Sequence, residues 1–228
     1  MTYIVGGYDT LKDPAVVTPG WDYLCFSDDG LGSDIWRPMQ LDGRPLGVSC
    51  PKRRSSLIKI LHHQFVDASY DVCITVDGSL LVNCDLDAFL KEFWGDDAVF
   101  AVAEHPRRSC LYAEAEAVVE MGLDDSEVVQ AQVRNYASAG FPRDYGLFGT
   151  RMMVKNNRSK RLRAMCERWA EEYQTGSRRD QLSLTYALWR DAEVTGERLP
   201  IRAFDFEDVY KTQELFAITK HLGSPRWQ

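Results

Sequence analysis

No run of apolar residues in this 228-residue chain approaches the roughly 20 needed to cross a bilayer, and Met1-Thr-Tyr-Ile-Val5 enters a strand-like run with no basic n-region, so no secretory signal is expected. The sequence also lacks a CxxC pair. Its six cysteines (Cys25, Cys50, Cys73, Cys84, Cys110 and Cys166) are scattered, with no histidine at metal-ligand spacing. That excludes a zinc finger or ribbon and argues against a disulfide scaffold, so they read as small core residues in a reducing cytoplasm. There is no excess of positive charge: 27 Lys+Arg stand against 34 Asp+Glu, a formal net charge of −7. A surface of that sign disfavours nucleic acid or an anionic membrane as partner. The sequence shows no repeat and no Gly/Ser linker. With 45% hydrophobic and 27% charged residues, it has the composition of an ordinary globule with a real core. The expectation is one cytoplasmic domain without a transmembrane segment.

Strands and helices alternate. Thr2–Val5 and Tyr23–Phe26 are β-rich runs stopped by Gly6-Gly7 and by Ser27-Asp-Asp-Gly30. Leu57, Ile58, Leu61 and Phe65 fall at helical spacing within 55–66. Val72-Cys-Ile-Thr-Val76 is a near-continuous apolar strand of the kind buried on both faces, and it stops at Asp77-Gly78-Ser79. A helix over 85–94 and a strand over 98–103 follow. Further on, 126–139 reads as helix, 149–154 as strand, and Leu162, Met165, Cys166, Trp169 and Tyr173 as the apolar face of a helix ended by Gly176. A helix from Asp180 to Trp189 and a strand over 201–204 complete the chain. The order predicts an α/β fold with a central mixed sheet flanked by helices.

Charge is uneven. Residues 143–179 carry ten bases against four acids, a net of +6. That is enough for an anion-facing patch, or for the solvated face of a helix.

Chemistry is expected first at Asp77-Gly78-Ser79, because ligands of open α/β sheets bind outside the carboxyl ends of the strands. A carboxylate there, followed by a glycine that admits close approach, suits a cation bridging phosphates; a plain Asp-Gly turn is the simpler alternative.

Taken in order, these segments resemble the mucilage-related, glycosyltransferase-like family of plants and bacteria. The resemblance is carried by Ile4-Val-Gly-Gly-Tyr-Asp-Thr-Leu11, Tyr23-Leu-Cys-Phe-Ser-Asp28 and Pro51-Lys52 through His62. It continues through Tyr70-Asp71, Val76-Asp-Gly-Ser79, and the spaced His105, Arg108, Cys110, Tyr112 and Glu114. Gln132, Tyr136, Gly140-Phe-Pro142, Gly146-Leu147 and Ser177-Arg-Arg-Asp-Gln-Leu-Ser183 close it. The resemblance implies a GT-A-like glycosyltransferase that moves a sugar from a nucleotide-sugar donor, UDP-sugar favoured, to a glycan or other hydroxyl acceptor, as in polysaccharide biosynthesis. Residues 1–104 would form the nucleotide-binding half, and 105–228 the acceptor and catalytic half with the tail.

A departing sugar diphosphate concentrates negative charge, which a divalent cation or an Arg/Lys clamp must stabilise. GT-A enzymes usually present Asp-x-Asp to Mn²⁺ or Mg²⁺; here Ser79 stands in the second place. His221-Leu-Gly-Ser-Pro-Arg-Trp227 loosely resembles the tail of another GT-A family, which would make His221 a metal ligand beside Asp77 and Arg226 a diphosphate contact. A frayed tail is the alternative. Asp180 and Gln181 are the expected catalytic residues, although Ser177-Arg-Arg-Asp180 also has the look of a capping box. Tyr8, Asp9 and Asp28 are expected at the nucleotide, and Arg54, Lys59, Asp77, Gly78 and Ser79 at the diphosphate. Arg54 and Lys59 read equally as solvated helix charges. His105, Arg108, Tyr112 and Glu114 are expected at the sugar or acceptor; Arg108 with Glu114 reads equally as a surface ion pair worth little. Rival functions are a non-catalytic nucleotide- or carbohydrate-binding domain on the same fold and, less favoured, a nucleotidyltransferase.

Overall fold

The computed structural model describes residues 1–41 and 47–219. Its strands are β1 (Thr2–Ile4), β2 (Leu24–Ser27), β3 (Arg37–Gln40), β4 (Val72–Asp77), β5 (Leu80–Val82), β6 (Phe100–Glu104), β7 (Phe148–Asn156), β8 (Ile201–Phe204) and β9 (Phe216–Ile218). Its helices are α1 (Pro51–Ile60), α2 (Leu86–Phe93), α3 (Leu111–Glu120), α4 (Ser126–Ser138), α5 (Lys160–Thr175), α6 (Asp180–Thr195) and α7 (Phe206–Tyr210). Seven strands form a mixed sheet in the order β3-β2-β1-β4-β7-β6-β8, and β5 pairs with β9 in a small ribbon. Within the large sheet only β7 runs against its neighbours. One edge therefore gathers the carboxyl ends of six strands and the amino end of β7. That edge is where a site is expected.

Helices cover both faces, which is why β4 is apolar on both. Against one face, Leu57 and Ile58 of α1, Met165, Trp169 and Tyr173 of α5 and Leu184 of α6 pack on Tyr3, Phe26, Phe100 and Met153. Against the other, Phe89 and Phe93 of α2 and Tyr210 of α7 meet Ile74, Val76, Phe204 and Phe216. A third cluster joins α3 and α4 to Tyr186 and Trp189 of α6. The α/β reading holds, in a single domain. All six cysteines are free, four of them buried. Among the described residues no helix is long and apolar enough to cross a membrane.

The helix expected over 55–66 starts earlier, because Pro51 suits the first turn, and stops at Ile60 before a 3₁₀ turn at His62–Gln64. Helix α3 and the short β3, β5, α7 and β9 carried no sequence signal. β3 (Arg-Pro-Met-Gln) is an edge strand without apolar alternation, where Pro38 costs little.

Part of the basic stretch is engaged within the fold: Arg161 and Arg168 both bind Asp191, Arg178 binds Asp124, Arg158 binds Asp71, and Lys155 is buried. Carboxylates elsewhere in the chain thus take four of its ten bases.

Candidate active site

Asp77 is the last residue of β4 and Asp180 the first of α6. The fold brings both to one ammonium. Lys59 Nζ lies 2.5 Å from Asp180 Oδ2 and 3.4 Å from Asp77 Oδ1. Lys59 is only 2% exposed, so it is neither a solvated helix charge nor an open contact. Asp180 is 6% exposed, and its Oδ1 accepts a hydrogen bond from Thr150 Oγ1 at 2.9 Å. Asp77 also accepts from the Tyr3 hydroxyl, and both of its contacts fall on Oδ1. The side chain of Asp77 is 24% exposed.

The charges follow from this geometry. Burial pushes the Asp180 carboxyl up, but the Lys59 ammonium, with Lys52 behind it, outweighs burial and holds it below the usual range. Lys59 is pulled down by burial and pushed higher still by Asp180 and then Asp77, so it is held above its ordinary value. Asp180 is not a capping residue. Arg179 occupies the N-cap of α6 without a side-chain cap, while the Asp180 oxygens go to Thr150 and Lys59. Gln181 is half-buried on the same first turn.

Lys52 shares a face of α1 with Lys59, two turns earlier. It senses Asp180 and Asp77, although burial lowers its pKa. Tyr210 Oη is buried near Asp77 and has no hydrogen-bond partner among the described residues. Tyr3, Lys52, Thr150 and Tyr210 escaped the motif reading as site residues. Lys52 stood inside a quoted segment, and the others carried no signal.

On the β1 side, Gly6 and Gly7 turn with positive φ, and Gly6 N donates to both Asp28 oxygens at 3.0 Å. Arg54 Nη1 lies 4.0 Å from Asp28 Oδ2. Tyr8 Oη donates to the Tyr3 carbonyl at 3.1 Å. Asp9 is buried and binds Lys12 at 2.9 Å, while Lys12 Nζ reaches the Gly78 carbonyl at 3.0 Å. A Cβ at Gly78 would stand 3.0 Å from Ile4 Cγ1, so a side chain there would require Ile4 to shift by a few tenths of an ångström. Ser79 is buried, and its carbonyl accepts from Thr219 N and Oγ1 at 2.8 and 2.9 Å. The other two expected residues, His221 and Arg226, lie outside the described residues.

On the β6 side, Glu114 is 1% exposed and binds Arg108 Nε at 2.5 Å, with His105 Nε2 at 3.6 Å. This is a buried carboxylate with two partners rather than a surface pair. His105 Nδ1 accepts from Arg108 N at 3.2 Å, which leaves the proton on Nε2. Tyr112 Oη is committed to the Phe141 carbonyl at 2.8 Å. A cleft of about 480 Å³ opens here, lined by His105, Arg107, Arg108, Tyr145 and Phe148. An apolar cavity of about 340 Å³, with Trp21, Trp36 and Tyr70, lies at the opposite edge beside Met1 and Val72.

Residues 27–221 match the profile of the TOD1/MUCI70, glycosyltransferase-like domain. The chain belongs to this family. A stretch of 108 residues is 32% identical to the probable hexosyltransferase MUCI70 of Arabidopsis thaliana, covering 46% of this chain and 18% of that protein. Among solved structures, the chain is similar to galactosyltransferase LgtC in complex with donor and acceptor sugar analogs, at TM-score 0.47 and 12% identity over 84% of this chain and 66% of that one. It is also similar to mouse xyloside xylosyltransferase 1, at TM-score 0.43 and 13% identity over 80% and 70%. For the TOD1/MUCI70 glycosyltransferase-like domain, glycosyl transfer is the general activity to be explained, and Asp77, Lys59 and Asp180 stand at the edge where it would occur.

Proposed function

We propose that this chain is a hexosyltransferase that moves a sugar from a nucleotide-sugar donor, UDP-linked by preference, to an acceptor hydroxyl. The observation that carries the reading is the meeting of Asp77 and Asp180 on Lys59 at the carboxyl edge of the sheet. In the transfer, the bond from the anomeric carbon to the diphosphate breaks with its electron pair, a bond to the acceptor oxygen forms, and the acceptor proton passes to the departing diphosphate. Asp180 is a poor base for that proton, since both oxygens are engaged and its carboxyl is held low. Its part is a fixed negative charge that stabilises positive charge at the anomeric carbon. Gln181 would lie beside it at the sugar.

Tyr8, Asp28 and Arg54 would border the nucleotide, and Lys52 the diphosphate; Asp9 and Lys59 support from within. Among the described residues no three His, Cys, Asp or Glu side chains converge on a metal position. Mg²⁺ or Mn²⁺ fits only with substrate phosphates completing its shell, a common arrangement for Mg²⁺ with one or two protein carboxylates. Asp77 Oδ2, with His221 from the tail, would hold it, and the ion would neutralise the leaving diphosphate. His105, Arg108 and Glu114 would line the acceptor cleft. We take the setting to be cytoplasmic, where free thiols persist.

A second reading, a non-catalytic binding domain, draws on Ser79, which is buried where a second metal carboxylate would be useful. Calorimetry with UDP-, GDP- and CMP-sugars, with and without Mn²⁺, followed by assay of nucleotide release, decides between them. Binding with release supports transfer. Binding without release favours the second reading, and no binding removes both.

A further inference from the structure

Three oxygens surround the Lys59 ammonium: Asp180 Oδ2 forms an ion pair with it at 2.5 Å, and the Thr150 carbonyl at 3.2 Å and Asp77 Oδ1 at 3.4 Å accept hydrogen bonds from it. They come from α6, β7 and β4, and the Tyr3 ring of β1 has its centroid 5.8 Å from Nζ. One buried cation on α1 thus stands where four other elements meet. A second buried lysine fixes it from beneath, since Lys155 Nζ donates to the Lys59 carbonyl at 2.5 Å. Buried ion pairs are weak stabilisers, and apolar residues of similar volume often serve packing as well. Packing alone therefore does not account for a lysine at this position. Its placement between two carboxylates at the ligand-binding edge does.

We propose that Lys59 is a positioning residue for glycosyl transfer: its ammonium stands between Asp180 and Asp77, in contact with both, and fixes the two carboxylates relative to each other. This rests on the reading of the two carboxylates given above and adds the device that sets their charge and spacing. The groups facing Asp180 are Lys59 and Lys52 from α1, Asp77 from β4, Thr150 and Lys155 from β7, Tyr3 from β1 and Tyr173 from α5, with Arg179 beside it in the chain. Of the cations, Lys59 alone is in contact among the described residues. Without it, a nearly buried carboxyl takes up a proton far more readily and turns from a pure acceptor into a donor.

The test follows the Asp180 carboxyl by ¹³C NMR in wild type and Lys59→Met. In parallel, it measures release of UDP or GDP from UDP-glucose, UDP-galactose and GDP-mannose between pH 5 and 8. Wild-type Asp180 is expected to stay ionised throughout. In Lys59→Met its titration midpoint should rise by about 3 pH units. Nucleotide release should then fall about fivefold or more from pH 8 to pH 5, against less than about twofold in wild type. Thr150→Val keeps every charge and removes one hydrogen bond, so it should move the midpoint the same way by less than about 1 unit. Lys59→Gln, which removes the charge but keeps a polar side chain, carries the test if Lys59→Met does not fold: the Asp180 midpoint should rise in the same way. An unmoved Asp180 midpoint, or pH profiles parallel to wild type, overturns the positioning role. Failure of the transfer reading looks different: none of the three sugars releases nucleotide, or Asp180→Asn releases it at the wild-type rate, while the NMR shift in Lys59→Met persists.

Discussion

Asp124 Oδ2 accepts a hydrogen bond from Ser177 Oγ at 2.7 Å, which clamps the turn between α3 and α4 to the segment leading into Asp180. The same carboxylate takes Arg178 N at 2.5 Å and Arg178 Nε at 2.9 Å. Gln132 on α4 adds a second clamp through Ser177 N at 2.9 Å, and a Cβ at Gly176 would collide with it at 2.4 Å. The start of α6 is thus set by side chains of the helical hairpin rather than by a cap of its own.

Asp124→Asn should therefore cost about 1–3 kcal/mol at pH 7, measured by urea denaturation. Burial pushes the Asp124 carboxyl up, but the bonds from Ser177 and Arg178 outweigh it and hold the group below the usual range. A lowered folded-state pKa gives stability that is complete above the unfolded value of about 3.9 and is lost as pH falls through the folded one. The gap between wild type and variant should narrow at pH 3. A gap of equal size at both pH values would remove the charge from the explanation.

His62 gives a second pH dependence. Its ring is buried with Nε2 unpartnered among the described residues, and burial, then the nearby Lys155, pushes it well below its ordinary value. The fold holds it neutral, whereas the unfolded chain takes up a proton near pH 6.5. Its contribution is full above that pH and declines below it, by at most about 1.4 kcal/mol per pH unit. His62→Leu should show a flatter change in urea midpoint between pH 7 and 5 than wild type. Parallel slopes would show that the imidazole is charged in the fold.

Asp77→Asn keeps an acceptor for Tyr3 and changes only charge. We expect nucleotide release to fall by roughly 10²-fold, with a melting temperature within a few degrees of wild type. Wild-type turnover in this variant would take Asp77 out of the mechanism.

Removal of residues 220–228 tests the tail. Thr219 is bonded to the Ser79 carbonyl, two residues from Asp77, and His221 follows two residues later in sequence. Consecutive Cα atoms are about 3.8 Å apart, so the chain length permits His221 to reach the site. Donor affinity should drop about tenfold or more, and its Mn²⁺ dependence should drop with it. Calorimetry that returns the wild-type affinity and metal response would leave the tail without a role.

Strand β4 and helix α5 were legible because their spacing is local, and Asp77 and Asp180 were legible as the ends of such elements. Their convergence was not, because it depends on the crossing of α1 beneath both. Lys59 did carry a signal. It sits in Leu57-Ile-Lys-Ile60, an apolar run in which a lysine must be buried with a partner, yet it reads as a solvated charge when helix charges are taken singly. The pairing within the basic stretch was hidden for a related reason: counting along the chain cannot reveal that Asp191 will take both Arg161 and Arg168.

The single antiparallel strand of the large sheet has a consequence for how such a protein can change. β6 and β7 pair at Glu104 and Phe148, and His105 N donates to the Leu147 carbonyl at 2.9 Å. The whole excursion between them, α3 and α4 included, leaves and rejoins the sheet at adjacent points. Its two ends are close enough to be spliced by a tight turn, so the segment behaves as a cassette. A homologous hairpin could be grafted there without disturbing the strand order, provided it again supplies carboxylate and amide contacts in place of Asp124 and Gln132. Such a replacement would leave the other strands of the large sheet and their pairing unaltered.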